Sequence, residues 1–332
     1  MSYAASDEIV ERILKSRKID PHIHCRDGRQ AYKATIRQVK EFAKDLGIVA
    51  IGDMPNKEPP ITSERNVMSW LRFAESEGCL EGYYLYIGAT NNPEQIEEAA
   101  SVASENPKVL GIKYFTTGGG VLTISNEKDQ LRFYETLAKH NYTDIVAIHC
   151  EKESLFRMDK WNPERPWTWN EARPPQAETA AVEDQIKFAK EAGFEGVLYI
   201  LHVTVGETID LIDAYRGDIN IYCGVTPHHL LIPTSYMMGR NGLIYKTNPP
   251  VRPEKEVEIL RERLEEGKID CIESDHAPHT PNEKFEKYLS GYTSYEIYPR
   301  LIESLVSWGL GEERILDLTY NNAKRIFKKI IE

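Results

Sequence analysis

The segment "IDPHIHCRD" at positions 19–27 sets His22, His24 and Arg26 at alternate positions of a β-prone run. Alternate side chains of an extended strand share a face, so two imidazoles and a guanidinium point the same way. An isolated HxH pair more often lies on a solvated strand, so its meaning depends on what else the chain can bring to it. Further along stand Lys113 in "GIKYF", His149 in "AIHCE", His202 in "LHVT" and Asp275 in "SDHAPH". Imidazoles with a carboxylate are the ligand types that hold Zn2+ or a similar divalent ion. The lysine is the odd member, because a protonated ammonium is repelled by dications. It must face away or be chemically altered, and carbamylation by CO2 would turn the amine into an anionic carboxylate able to span two metals.

These residues need elements that bring them together. Eight short apolar or β-branched runs cover 19–25, 47–56, 82–90, 109–117, 144–151, 196–204, 219–229 and 269–279, nearly all separated by segments of helical period such as "AYKATIRQVKEFAKDLG" and "AETAAVEDQIKFAKEAG". Strand and helix alternating eight times is the pattern of an α/β protein, a (β/α)8 TIM barrel. In that fold chemistry gathers at the C-terminal ends of the strands, and the candidate residues close or occupy the first, fourth, fifth, sixth and eighth runs. Long loops follow the fifth run, carrying Trp161, Trp167 and Trp169, and the seventh, where helical period is weakest. A single domain over 1–332 is expected, with residues 1–18 forming an N-terminal helix that leads into the barrel.

Composition narrows the class of function. The chain has 332 residues and 41% hydrophobic content, enough for a sizeable core, and no apolar stretch long enough to span a bilayer. Its N-terminus lacks the apolar centre of a signal peptide, so a cytoplasmic location is expected. A net charge of −11 argues against nucleic acid or an anionic membrane as partner. An anionic substrate would have to be held locally by particular arginines. The five cysteines lack CxxC spacing and read as buried free thiols; strand alternation turns Cys25 and Cys150 away from the faces of their histidine neighbours.

Taken in order, "HIHCRD", "MPNKEPPIT", "GIKYF", "AIHCE", "RPPQAE", "LHVT", "VTPHHL", "NPPVR" and "SDHAPH" resemble the amidohydrolase superfamily and, within it, the dihydroorotases. The match runs from residue 19 to "NNAKRIF" near the end. The resemblance implies a metal-dependent hydrolase of the metal-dependent-hydrolase barrel type, with two divalent ions, Zn2+ foremost. By that analogy His22, His24 and Asp275 hold one ion, His149 and His202 the other, and N6-carboxylated Lys113 bridges them with a hydroxide. Asp275 then serves as general base and acid. The reaction implied is the reversible hydrolysis of (S)-dihydroorotate to N-carbamoyl-L-aspartate, in pyrimidine biosynthesis. Arg26, Asn56 and His279 would grip the substrate carboxylate, and Asn248 the polar edge of the ring.

The chain departs from the family in three ways. No β-sandwich is expected, and the chain reads "KYFTTGGG" where some bacterial members carry "FTDDG" and mixes motifs of the shorter and longer classes. Retention of the lysine favours the carbamate-bridged form. Two other readings compete: another cyclic amidase, a hydantoinase or allantoinase, and a catalytically weak barrel partnering aspartate transcarbamoylase. A homodimer is also among the expectations. His140, His228, His229 and His276 read as capping, packing or supporting residues, and the tryptophan loop as one that packs down or closes over the site.

Overall fold

The computed structural model describes residues 3–331. Eight parallel strands follow one another around a single sheet in sequence order: β1 (Lys18–Ile23), β2 (Ile48–Asp53), β3 (Tyr83–Gly88), β4 (Val109–Phe115), β5 (Ile145–His149), β6 (Val197–Ile200), β7 (Ile221–Val225) and β8 (Cys271–Ile272). Parallel ladders join β1 through β8, with register shifts in the β1–β2 and β3–β4 pairs. The seam between β8 and β1 is closed by residues just beyond β8: Asp275 N–H donates to His22 O at 2.9 Å and His24 N–H to His276 O at 3.0 Å. Asp20 Oδ1 adds an acceptor for Ser274 N–H at 2.9 Å. The expected (β/α)8 barrel is therefore present, and its last stitch is made beside the candidate ligands.

The α-helices are α1 (Tyr3–Lys15), α2 (Ile36–Asp45), α3 (Glu64–Ser76), α4 (Pro93–Glu105), α5 (Glu127–Lys139), α6 (Thr168–Ala172), α7 (Pro175–Glu191), α8 (Gly206–Tyr215), α9 (Pro227–Leu231), α10 (Glu254–Glu265), α11 (Pro281–Phe285), α12 (Tyr298–Ser307), α13 (Glu312–Leu316) and α14 (Asn322–Ile326). Local chemistry explains their starts. Thr35 and Gln38 form a reciprocal capping box on α2, and Asn92 caps α4 just ahead of Pro93. In α2 the buried residues Ile36, Val39 and Ala43 recur at helical spacing, which presents one apolar face to the sheet.

The first helix is shorter than its expected span to residue 18. It ends at Lys15; Ser16 Oγ donates to Ile13 O, and Lys18, already in β1, donates its amine to the orphan carbonyls of Leu14 and Ser16. Residues 1, 2 and 332 of the expected domain lie outside the described residues. Every strand is shorter than the run that suggested it, most of all the seventh and eighth. At the seventh, Thr226 caps the backbone of His229 and turns "PHHLL" into α9; at the eighth, extended backbone ends before Asp275.

One apolar layer lies between sheet and helices, where Ile23, Tyr114, Ile148 and Val203 are buried. A second fills the barrel with Tyr84, Tyr86, Leu110, Ala147 and Tyr199, and is closed at one end by Phe327 and Ile330. Among the described residues, no helix is long and apolar enough to cross a membrane.

Candidate active site

Strand alternation decides which side chains reach the barrel mouth. Ile23 and Cys25 belong to the outer apolar layer, so His22 and His24 face inward. Tyr114 packs its ring 4.7 Å from that of Phe133 in α5, which leaves Lys113 on the inner face of β4. His149 is the last residue of β5, while His202 and Asp275 sit just past the ends of β6 and β8.

Those last two adopt left-handed backbone conformations, with φ +39° at His202 and +46° at Asp275. Side chains other than glycine pay for this geometry with steric strain, so the surroundings must hold it. At His202 the holder is Glu273, whose Oε1 accepts the His202 N–H at 2.6 Å; at Asp275 it is the seam bond to His22 O.

The ligand atoms form two groups. His22 Nε2 and His24 Nε2 lie 3.3 and 2.9 Å from Asp275 Oδ1, and His149 Nδ1 lies 3.0 Å from His202 Nε2. Two ligands on one tetrahedral zinc, each at about 2.0–2.1 Å, stand roughly 3.4 Å apart, so these spacings fit shared divalent ions. The rings of His22 and His202 are 5.3 Å apart, centre to centre, which brings the groups side by side. Hydrogen bonds on the far nitrogens fix the tautomers in the sense a metal needs. His22 Nδ1 meets Glu273 Oε1 at 3.2 Å, and His149 Nε2 meets Glu151 Oε2 at 2.8 Å, so Nε2 of the first and Nδ1 of the second present lone pairs to the cavity. Burial lowers the pKa of His22 to about 4 and holds His24, His149 and His202 below the ordinary imidazole value, leaving four neutral donors.

Lys113 is fully buried beneath the cavity. Its amine donates to Tyr114 O at 3.1 Å, sits 3.8 Å from the centre of the Phe115 ring, and has no carboxylate ion-pair partner among the described residues. Burial lowers its pKa to about 7. Two buried carboxyls shift the other way: Asp275 is raised, and Glu273 is pushed up to about 8, in both cases chiefly by loss of water.

The cavity is lined by the four histidines and Asp275 together with Arg26, Asn56, Phe115, Asn248 and Ser290. Arg26 is 8% exposed, its Nε lacks a hydrogen-bond partner, and its guanidinium makes no ion pair among the described residues. Asn56 Oδ1 is likewise buried and unpartnered. His279 stands behind this wall rather than in it: it packs against Gly291, which does line the cavity, and its Nδ1 lies 3.3 Å from Glu283 and 3.4 Å from Lys33.

Several supporting residues escaped the sequence reading although they lie inside its quoted motifs. Glu151 of "AIHCE" is clasped by both ends of the Arg173 guanidinium from "RPPQAE". Arg252 of "NPPVR" donates to Thr204 of "LHVT" at 2.8 Å and stands 3.7 Å from Glu178 of "RPPQAE", whose carboxylate accepts from Thr204 Oγ1. The motifs thus interlock behind the histidines. Glu273, two residues before Asp275, had no signal beyond that spacing.

The residues set aside behave as expected. His140 is the C-cap of α5 and pairs with Glu97 at 3.0 Å; His276 stacks on Tyr295; His228 and His229 are buried on Ser294, Thr226 and Pro249. All five cysteines are free and buried. Trp169 is buried and packs its ring against Trp161, so the tryptophan loop packs down.

An eight-stranded parallel barrel with a cluster of candidate ligands at its mouth is the fold that solved hydantoinases and a dihydroorotase share with this chain. In sequence the chain is similar to dihydroorotases. No family model matches. It is 28% identical over 314 residues to the dihydroorotase of Halobacterium salinarum, covering 93% of this chain and 71% of that protein. It is 27% identical over 332 residues to that of Methanosphaera stadtmanae, covering 96% and 72%. Among solved structures, the L-hydantoinase of Arthrobacter aurescens superposes with a TM-score of 0.81 at 21% identity, covering 94% of this chain and 70% of that one. A dihydroorotase from Campylobacter jejuni superposes with a TM-score of 0.70 at 18% identity, covering 95% and 84%.

Proposed function

We propose that the protein is a dihydroorotase, opening the cyclic amide of (S)-dihydroorotate to N-carbamoyl-L-aspartate and closing it in reverse, a reaction of pyrimidine biosynthesis. The observation that carries the choice of ring is Arg26. A buried guanidinium without an anionic partner is costly unless a ligand supplies one, and this one lines the cavity. A substrate carboxylate meets that need; the neutral rings of hydantoin and allantoin do not. His279, behind Gly291, is assigned to the edge of the same anion site.

His22, His24 and Asp275 are assigned to one divalent ion, His149 and His202 to a second, and Lys113, as its N6-carboxylate, to both. Zn2+ suits this nitrogen and oxygen set. Bound there, the ions supply Lewis-acid polarisation of the scissile carbonyl and acidify a water molecule. The chain's own residues do the rest. Arg26 and Asn56 anchor the carboxylate and so place the amide over the histidines. Asp275 takes the proton from water as the new C–O bond forms and returns it to the ring nitrogen as the C–N bond breaks. An unpaired amine in a dry site is suited to capture CO2, since its neutral form is the nucleophile.

The deciding experiment measures turnover of zinc-loaded protein on dihydroorotate, hydantoin and allantoin, with metal counted in the same sample. Selective hydrolysis of dihydroorotate is expected, and Arg26→Met should raise its KM by about 10- to 100-fold, as for loss of a charge-assisted hydrogen bond. Activity confined to the neutral rings, or metal-loaded protein inert on all three, would overturn the assignment.

A further inference from the structure

The orientation of one side-chain amide in the cavity is dictated by groups that lie behind it. Asn248 Oδ1 lies 3.1 Å from Trp169 Nε1 and 3.0 Å from Ser290 Oγ. Indole N–H can only donate, so the Asn248 atom facing it must be the carbonyl oxygen and not the amide nitrogen. That hydrogen is shared with Thr247 O at 2.9 Å, so Trp169 alone holds the amide loosely. Ser290 supplies the second constraint. Its oxygen accepts from Lys246 Nζ at 2.9 Å, which leaves its own hydrogen for Asn248 Oδ1. Lys246 is itself seated 3.7 Å from the centre of the Trp169 ring. With both acceptor sites of Oδ1 occupied, Asn248 Nδ2 is turned to the cavity, and among the described residues it has no hydrogen-bond acceptor.

We infer that Trp169 and Ser290 are positioning residues that fix Asn248 as a hydrogen-bond donor to the substrate, so that this wall of the site selects a ring carbonyl and rejects a ring N–H. The inference deepens the dihydroorotase reading and rests on it for the identity of the ring. The tryptophan loop after β5 thereby acquires a role, setting the polarity of a contact it does not itself make.

The test separates orientation from mere packing. Ser290→Ala removes one donor and little volume; it should raise KM by about 3- to 10-fold with kcat nearly unchanged, because the contact is made in ground and transition states alike. Ser290→Thr, which keeps the hydroxyl, should restore KM toward the native value. Trp169→Phe should act in the same direction. In the Asn248→Ala background Ser290→Ala should add nothing, since no amide remains to orient. Asn248→Asp, which keeps the oxygen but presents a second acceptor to the substrate, should be worse than Asn248→Ala. A Ser290→Ala effect undiminished in the Asn248→Ala background, or Asn248→Asp performing as well as native, would overturn the inference. These ratios are read on whichever of dihydroorotate, hydantoin and allantoin the native protein hydrolyses fastest. A wrong ring therefore counts against the substrate reading while the ratios still decide the amide's orientation.

Discussion

At the scale of single residues, the site is a set of groups whose needs are met only by something added. Arg26 lacks an anion, Lys113 lacks a carboxylate, and His149 and His202 turn nitrogens toward each other at 3.0 Å. A structure does not bury such groups for stability, because each costs desolvation that nothing in the chain returns. Lys113 gives the sharpest prediction. Lys113→Ala should lose most bound metal and at least about 100-fold in turnover, with partial recovery on adding a small carboxylic acid that can occupy the vacated space. Retention of two metals and full activity, measured by elemental analysis and initial rates, would remove the lysine from the site.

At the scale of elements, the ends of strands and the loops after them do what the strands cannot. β5 and β6 bring His149 and His202 to the mouth, but Glu151 with Arg173, and Glu273, set the angles at which their rings and backbones stand. The loop after β8 shows how such segments are tied down. Lys284 in α11 donates to Lys246 O at 2.9 Å and to Gly291 O at 2.6 Å, joining the two stretches that carry Asn248 and Ser290. Burial lowers the pKa of that amine to about 7. The unfolded chain, with an ordinary lysine value near 10.4, therefore binds more protons than the folded one between about pH 7 and 10, and stability from this group rises with pH across that window. Urea unfolding of native protein and Lys284→Met at pH 7 and 9.5 should show the native advantage widening at the higher pH. A gap that stays flat or narrows would count against a buried, proton-shedding amine.

At the scale of the whole molecule, closing the barrel and assembling the site are one event. The seam between β8 and β1 runs through His22, His24 and Asp275, the same residues assigned to one metal ion. A ligand that binds only the folded form stabilises it by mass action, and here the bound ion would also clamp the seam. Chelation should therefore stop hydrolysis and lower Tm together, and both should recover with about two equivalents of Zn2+ per chain. Loss of activity on chelation without any change in Tm would separate the metal from the barrel closure.

Much of this was legible in the sequence, for reasons that differ by residue. Alternating apolar runs fixed the barrel, and chain order at strand ends placed His22, His24, His149, His202 and Asp275 at one mouth, because strand periodicity and the parallel barrel leave few other arrangements. Sequence could not show that Lys113 lies beneath the cavity without a partner, that His202 and Asp275 need left-handed backbone, or that His279 stands behind Gly291. Nor could it assign Glu273 to the backbone of His202 or set Trp169 behind Asn248, 79 positions apart. Residue types and local spacing follow from the chain alone. Burial, the orientation of a particular nitrogen or amide, and the partner on a distant loop depend on three-dimensional packing, and only the tertiary structure decided them.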